Sequence, residues 1–288
     1  MGPLISHPPL DEWVLLSIML KEKTLVEKLV IVPTYREREN IPHIIRAVLE
    51  QAEQNFHLLV VDDHSDDGTA DIVKNSMNTE FAGRLFILER EGKLGLGTAY
   101  ISGFKWALKR NYEYIFEMDA DFSHNPEDLP RLERACRIEG VGVTIGSRYI
   151  RGGKLVNWPM NRILMSKGAS IYVRIITWMP VADSTAGFVC YKRSFLEELN
   201  FEKIKFSGYA FQIEMKFAAW QLGYKIKEIP ITFTDRVLGN SKMSTKIFAE
   251  AFFGVLKIRW KGCFSSYKRS ESGQNQRIET TDNPPTQQ

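Results

Sequence analysis

Tyr114-Ile115-Phe116-Glu117-Met118-Asp119-Ala120-Asp121 is an apolar run that ends in two acids one residue apart. The run has the length and composition of a buried strand. Acids spaced i, i+2 on a strand project from one face. At the C-terminal end of a strand in an α/β sheet, that face opens into the ligand crevice. Two carboxylates aimed at one point repel unless a proton or a cation lies between them. A hard divalent cation with oxygen ligands fits, held jointly by the protein and by a substrate's phosphates.

Three similar units precede this one. Lys28 to Val32 reads as a strand that stops at Pro33, and Asn40 as N-cap with Pro42 opens a helix whose apolar face is Ile44, Ile45, Val48 and Leu49. Phe56 to Val61 is a second strand, ending in Asp62-Asp63-His64-Ser65-Asp66-Asp67-Gly68-Thr69, where Asp66 or Thr69 caps the next helix. Leu85 to Leu88 is a third, followed by the glycine-rich stretch Gly92 to Gly97 and a helix through Trp106. This repetition predicts an α/β protein, with a mostly parallel sheet flanked by helices on both faces. It also sets four polar loops along one edge: Pro33 to Glu37, the Asp62 cluster, Lys93 to Gly97, and Asp119 to His124. Their chemistry suits a nucleotide. Carboxylates accept from base or ribose, Lys93 and glycine amides meet a diphosphate, and the paired acids hold a metal. Gly95-x-Gly97 is neither a dinucleotide fingerprint nor a phosphate-cradling P-loop.

The later half is less regular. Val141 to Gly146, Gly187 to Tyr191 and Lys225 to Phe233 read as strands, and Ile163 to Met179, Phe211 to Leu222 and Ile247 to Trp260 as helices. From Ser265 onward the polar, proline-containing composition predicts disorder. A hydrophobic content of 44% and a charged content of 25% describe a soluble globular protein, and a net charge of +3 is too small to imply nucleic acid. The charge is unevenly spread. Lys242, Lys246, Lys257, Arg259, Lys261, Lys268 and Arg269 share their stretch with one acid, Glu250, which favours an anionic membrane surface. Cys136, Cys190 and Cys263 have neither metal-ligand spacing nor a disulfide pattern, so a reducing, cytoplasmic location is expected. Met1 to Leu10 lacks the basic start of a secretory signal, and the apolar run Trp13 to Leu20 is shorter than the ~20 residues of a spanning helix.

The motifs in order resemble family 2 glycosyltransferases, most closely the dolichol- or polyprenol-phosphate mannose synthases. They are Val32-Pro33-Thr34-Tyr35-Arg36-Glu37-Arg38-Glu39-Asn40, Val60 to Thr69, Gly95-Leu96-Gly97-Thr98-Ala99-Tyr100 and Met118 to His124. The match continues through Gly146-Ser147-Arg148-Tyr149, Asn157-Trp158-Pro159, Arg162, Ser166, Asp183 to Phe188, Phe211-Gln212-Ile213-Glu214, and Arg236-x-x-Gly239-x-Ser241-Lys242. The resemblance implies a Rossmann-like GT-A fold, Mg²⁺ or Mn²⁺ as cofactor, a nucleotide-sugar donor and inversion at the anomeric carbon. By the same resemblance, Pro33, Tyr35 and Glu37 line the nucleoside site, Asp62 or Asp63 contacts base or ribose, and Lys93 meets the diphosphate. Asp119, Ala120 and Asp121 lie at the donor, with Asp119 and Asp121 holding the metal. Ser123 stands where some relatives carry a glutamine ligand, and it is shorter. Arg148, Arg162 and Ser166 match positions that hold the acceptor phosphate; Asp121, Arg148 and Arg162 are the catalytic set; Arg236 and Lys242 match a loop that closes over the donor.

The expected division is an N-terminal extension over 1–27, the catalytic domain over 28–245, C-terminal amphipathic structure with a basic interfacial helix over 246–262, and a disordered tail over 263–288. The expected reaction moves mannose from GDP-mannose to a polyprenyl (dolichyl-type) phosphate. Its site is the cytoplasmic face of a membrane, or the cytosolic face of the endoplasmic reticulum in a eukaryote. The enzyme is expected to be peripheral, with a membrane-anchoring partner subunit as a further possibility and no nucleic acid. Three rivals stand beside it: UDP-glucose as donor, a polysaccharide-type enzyme acting on a hydroxyl, and a non-enzymatic nucleotide-sugar binder. His124 reads as a turn residue, and Trp158 and Trp178 as core.

Overall fold

The computed structural model describes residues 28–51, 55–235 and 245–269. The first strand, β1 (Lys28–Thr34), runs through Pro33 and is followed by α1 (Ile41–Leu49). Asn40 precedes that helix without capping it; its side chain instead donates to Glu37 Oε2 at 2.8 Å. Next come β2 (Phe56–Asp62), α2 (Thr69–Asn78), β3 (Leu85–Glu89), α3 (Leu96–Leu108), β4 (Tyr114–Glu117) and α4 (Leu129–Cys136). The side chain at the head of α2 is Asp67, rather than Asp66 or Thr69, and its Oδ1 accepts from the Thr69 amide at 3.0 Å.

The second half holds β5 (Val141–Ser147), β6 (Lys154–Val156), α5 (Met160–Thr177), β7 (Val189–Lys192) and α6 (Arg193–Glu198). It closes with α7 (Tyr209–Gln221), β8 (Lys225–Pro230), β9 (Thr232–Thr234) and α8 (Thr245–Phe264). The single strand expected over 225–233 is therefore two. After Pro230, the chain leaves the main sheet and β9 pairs with β6 in a small sheet.

The main sheet has seven strands in the order β3-β2-β1-β4-β7-β5-β8. β7 alone runs antiparallel to its neighbours β4 and β5. This is the expected α/β, GT-A-type architecture. The order reverses between β1 and β4, which opens the crevice at their C-terminal ends. Because β7 is antiparallel, the loop before it reaches that same edge, with Val189 opposite Glu117. Two apolar layers cover the sheet. One packs α3 and α7 over Leu29, Ile31 and Ile115, and the other packs α1 and α4 over Val30, Val60 and Phe116.

The tail expectation needs correction at its start. Tyr267 is fully buried, its hydroxyl donates to Glu214 Oε1 at 3.0 Å, and Lys268 forms a bridge with Leu199. A polar composition hid one aromatic anchor that ties the chain after α8 to the domain. The expected extension over 1–27 and the tail beyond 269 lie outside the described residues.

Candidate active site

Asp119 and Asp121 leave the end of β4 into the crevice. Asp119 Oδ1 accepts from the Tyr100 hydroxyl at 3.4 Å, and Asp121 Oδ1 accepts from the Ser123 amide at 3.0 Å. Ser123 is buried, so its link to the pair runs through its amide. Among the described residues no three acidic, histidine or cysteine side chains form a closed metal cage. Two carboxylates at the crevice can supply oxygen ligands to a hard divalent cation whose remaining ligands come from a substrate's phosphates.

His124 lies in the bend that follows the two acids, as expected, and is buried beside them. It stacks on Phe188 with ring centroids 4.9 Å apart, and its Nδ1 accepts from the Asp119 amide at 3.4 Å. That bond assigns the ring proton to Nε2. Burial lowers its pKa to about 4, so the ring is neutral.

The side of the crevice built by the loops after β1, β2 and β3 is tightly cross-linked. Asp62 is buried and internally satisfied, accepting from Thr34 Oγ1 at 2.8 Å, Ser65 Oγ at 2.7 Å and the Ser65 amide at 2.8 Å. Its carboxylate holds the loop rather than facing a ligand. Asp63 lies 2.8 Å from Arg90 Nη1, and burial pushes its pKa up against the pull of that guanidinium. Arg90 also donates to Thr98 Oγ1 at 2.6 Å, tying the second loop to the third. Glu37 receives Asn40, and its amide donates to Thr69 Oγ1 at 3.1 Å. Lys93 Nζ sits 4.3 Å from the centroid of Tyr35. Pro33, half-buried, lies at the end of β1, and Ala120, buried, lies between the two acids. The structure thus gathers these positions around one crevice. Arg236 and Lys242 fall outside the described residues.

The second cluster forms where β5, β6, β9 and α5 meet. Arg148 follows β5, and its guanidinium is clamped on Asp183 by Nε at 2.8 Å and Nη2 at 2.6 Å. Asp183 Oδ2 also accepts the Arg148 amide at 2.9 Å, and Arg148 Nη2 reaches Thr185 Oγ1 at 2.9 Å. Glu228 on β8 fixes the Asp183 loop from behind, accepting the amides of Ala182 at 2.8 Å and Asp183 at 3.0 Å. Arg162 on α5 pairs with Asp235 at 2.9 Å and lies 3.9 Å from the centroid of Trp158, whose ring also faces Arg148 at 5.6 Å. Ser166 lies one turn along α5, on the side of the Tyr149 phenol. Arg148 and Arg162 thus flank the Trp158 ring, with Ser166 one turn further along α5.

Sequence reasoning gave no role to Asp183, Asp235, Arg90 or Glu228. Asp183 lay inside a quoted motif, but its partner is 35 residues away and only the antiparallel strand joins them. Trp178 is another correction. It caps α5 in a left-handed conformation, φ 61°, and is 70% exposed.

The Glycosyl transferase family 2 model matches residues 29–199. The polyprenol monophosphomannose synthase of Mycolicibacterium smegmatis is 44% identical over 234 residues, covering 81% of this chain and 87% of that protein. The undecaprenyl-phosphate mannosyltransferase of Micrococcus luteus is 43% identical over 238 residues, covering 81% and 96%. Among solved structures, glucosyl-3-phosphoglycerate synthase from Mycobacterium tuberculosis with phosphoglyceric acid superposes at a TM-score of 0.60 over 88% of this chain and 86% of that one, at 16% identity. The same synthase with Mn²⁺, UDP and glucosyl-3-phosphoglycerate gives 0.58 over 90% and 86%, also at 16% identity. These structural likenesses bear on the fold.

Proposed function

The chain belongs to glycosyl transferase family 2, and on that premise we propose that it transfers mannose from GDP-mannose to a polyprenyl phosphate with inversion. The relatives at 43–44% identity carry mannose and polyprenyl phosphate in their names, which supports this choice of substrates. The observation that carries the acceptor assignment is the state of the second cluster. Two guanidinium groups converge there, and the acids beside them, Asp183 and Asp235, are both engaged by those guanidiniums. A sugar hydroxyl needs a general base, and a carboxylate clamped by Arg148 through both oxygens cannot take a proton in line with an acceptor. A lipid monophosphate is already an anion and needs alignment instead.

In this reading Arg162 grips the acceptor phosphate through its fork-shaped guanidinium, Arg148, oriented by Asp183 and Thr185, adds a fixed positive charge beside it, and Ser166 is a further donor. Tyr35, Glu37 and Asp63 border the nucleoside, and Lys93 meets the diphosphate. Asp119 and Asp121 hold Mg²⁺ or Mn²⁺, which when bound offsets the charge growing on the departing diphosphate. His124 and Ser123 orient the two acids through the Asp119 amide and the Asp121 carboxylate. The acceptor oxygen attacks the anomeric carbon as the nucleoside diphosphate leaves from the opposite side.

A membrane supplies the lipid, and the outer faces of α5 and α8 suit one. Leu164, Ile175 and Trp178 on and beside α5, with Phe253, Trp260 and Phe264 on α8, are large apolar side chains left exposed. Lys167, Arg174 and Lys257 are exposed among them. No helix among the described residues is long and apolar enough to cross a membrane. A peripheral seat on anionic head groups follows from such a face.

A donor panel with a short polyprenyl phosphate, with and without Mn²⁺, tests the assignment. GDP-mannose consumed to give polyprenyl-phosphate-mannose, in the presence of the cation, is the expected result. Turnover of UDP-glucose alone transfers the reading to the glucosyl rival. Turnover only on a sugar hydroxyl, or none with any donor, rejects it.

A further inference from the structure

Glu117, Gln212 and Lys216 are polar, buried, and unused by the transfer chemistry above. Lys216 Nζ donates to the Ala186 carbonyl at 2.7 Å, the Gln212 carbonyl at 3.1 Å and Gln212 Oε1 at 3.2 Å. An ammonium has three hydrogens, so these acceptors complete it. Gln212 Nε2 then donates to Glu117 Oε2 at 2.8 Å. One amide joins the buried cation to the buried acid. Glu117, fully buried, also interacts with the buried phenol of Tyr191.

The two ends of this chain of contacts reach the two halves of the site. Glu117 ends β4 and precedes Asp119 by two residues, so both sit on one side of the strand's alternation. Ala186 belongs to the loop whose Asp183 clamps Arg148. Gly187 sits at the meeting point. A Cβ there would lie 3.8 Å from Asp119 Oδ2, 3.8 Å from His124 Cε1 and 3.9 Å from Gln212 Nε2. A buried polar network is often no more stable than apolar groups of the same volume, and its best-attested use is to fix registry.

We propose that Glu117, Gln212 and Lys216 form a positioning relay that sets the separation between the aspartate pair and the Arg148 loop. In-line transfer between a bound diphospho-sugar and a bound phosphate depends on that separation, and a displacement near 1 Å lowers rates by roughly 100-fold. The relay rests on the assignment of Asp119 and Asp121 to the cation and of Arg148 to the acceptor phosphate.

The Glu117→Gln/Lys216→Met double variant separates positioning from mere stability. It replaces the buried carboxyl and the buried amine together and keeps the volumes, so its circular dichroism and thermal midpoint stay close to wild type. The expected kinetics are a kcat about 30-fold lower, with the KM of donor and acceptor each within about 3-fold, the signature of lost alignment rather than lost binding. Gln212→Met, which changes no charge, gives a kcat about 10-fold lower with the same KM pattern, and it decides alone should the double variant fail to fold. A folded relay variant with wild-type kcat overturns the proposal. Asp121→Ala run in parallel keeps the levels apart. An inactive Asp121→Ala beside fully active relay variants removes the relay only, whereas an active Asp121→Ala removes the site assignment beneath it.

Discussion

At the end of β4 the Asp119 side chain is 38% exposed, whereas after β5 the Arg148 side chain is 8% exposed and already clamped by Asp183. The aspartates sit on a short loop braced by the Tyr100 hydroxyl, the Ser123 amide and His124 Nδ1. The arginine sits in a closed socket of Asp183, Thr185 and the rings of Tyr149, Trp158 and Phe233. The difference teaches how each half meets its ligand. On the proposed reading, the donor half meets a cation and a diphosphate with its carboxylates. The acceptor half carries a counter-charge behind its guanidinium, which fixes the fork's direction before any phosphate arrives.

The largest effect tests the open half. Asp121→Ala is expected to lower kcat at least ~1,000-fold with the fold retained, because it removes a ligand for the charge-offsetting cation; residual turnover that survives chelation would break the comparison. Next comes the closed half. Asp183→Asn leaves a guanidinium buried without its counter-charge and is expected to lower stability by about 3–5 kcal/mol. In the folded fraction, acceptor kcat/KM should fall roughly 100-fold while donor KM holds, since the Arg148 fork loses its fixed direction. An equal loss toward both substrates would mean that the socket serves the whole site.

A smaller effect sharpens the link to the lipid. Trp178→Ser with Trp260→Ser removes two exposed indoles, and binding to anionic vesicles should weaken about 10-fold or more, as interfacial affinity scales with buried apolar area. Turnover of a short, water-soluble polyprenyl phosphate should hold. Unchanged flotation at low salt would detach α5 and α8 from the membrane surface. The smallest change is Tyr267→Phe, which deletes the hydroxyl bonded to Glu214 and should lower stability by about 1 kcal/mol in a thermal melt. No change would mean that the chain after α8 is held by ring packing and its backbone hydrogen bonds, with nothing from the Tyr267 hydroxyl.

The donor half was the more legible one because its loops follow parallel strands directly. An apolar run, a polar loop and an amphipathic helix in series place Pro33, Tyr35, Glu37, Lys93, Asp119 and Asp121 at one edge by local pattern. Within it, the division of labour between Asp62 and Asp63 was invisible. Which acid turns inward depends on Thr34 and Ser65 meeting it across the fold. The acceptor half drew on the resemblance alone, and the counter-acids of its arginines had no signal at all. Glu117 within an apolar strand and Lys216 within a buried helix face were visible anomalies. Trp178 and Tyr267 went opposite ways, one to solvent and one to the core, because composition says which side chains are apolar and nothing about which face a neighbour covers.

By itself, the sequence determined the parallel strand series, the crevice edge and the acid pair, since each arises from periodicity within a few residues. Only the tertiary structure decided the direction of β7, and with it the arrival of Asp183 at Arg148 and of Ala186 at Lys216. Strand direction is settled by pairing between segments distant in the chain, and no local preference encodes it.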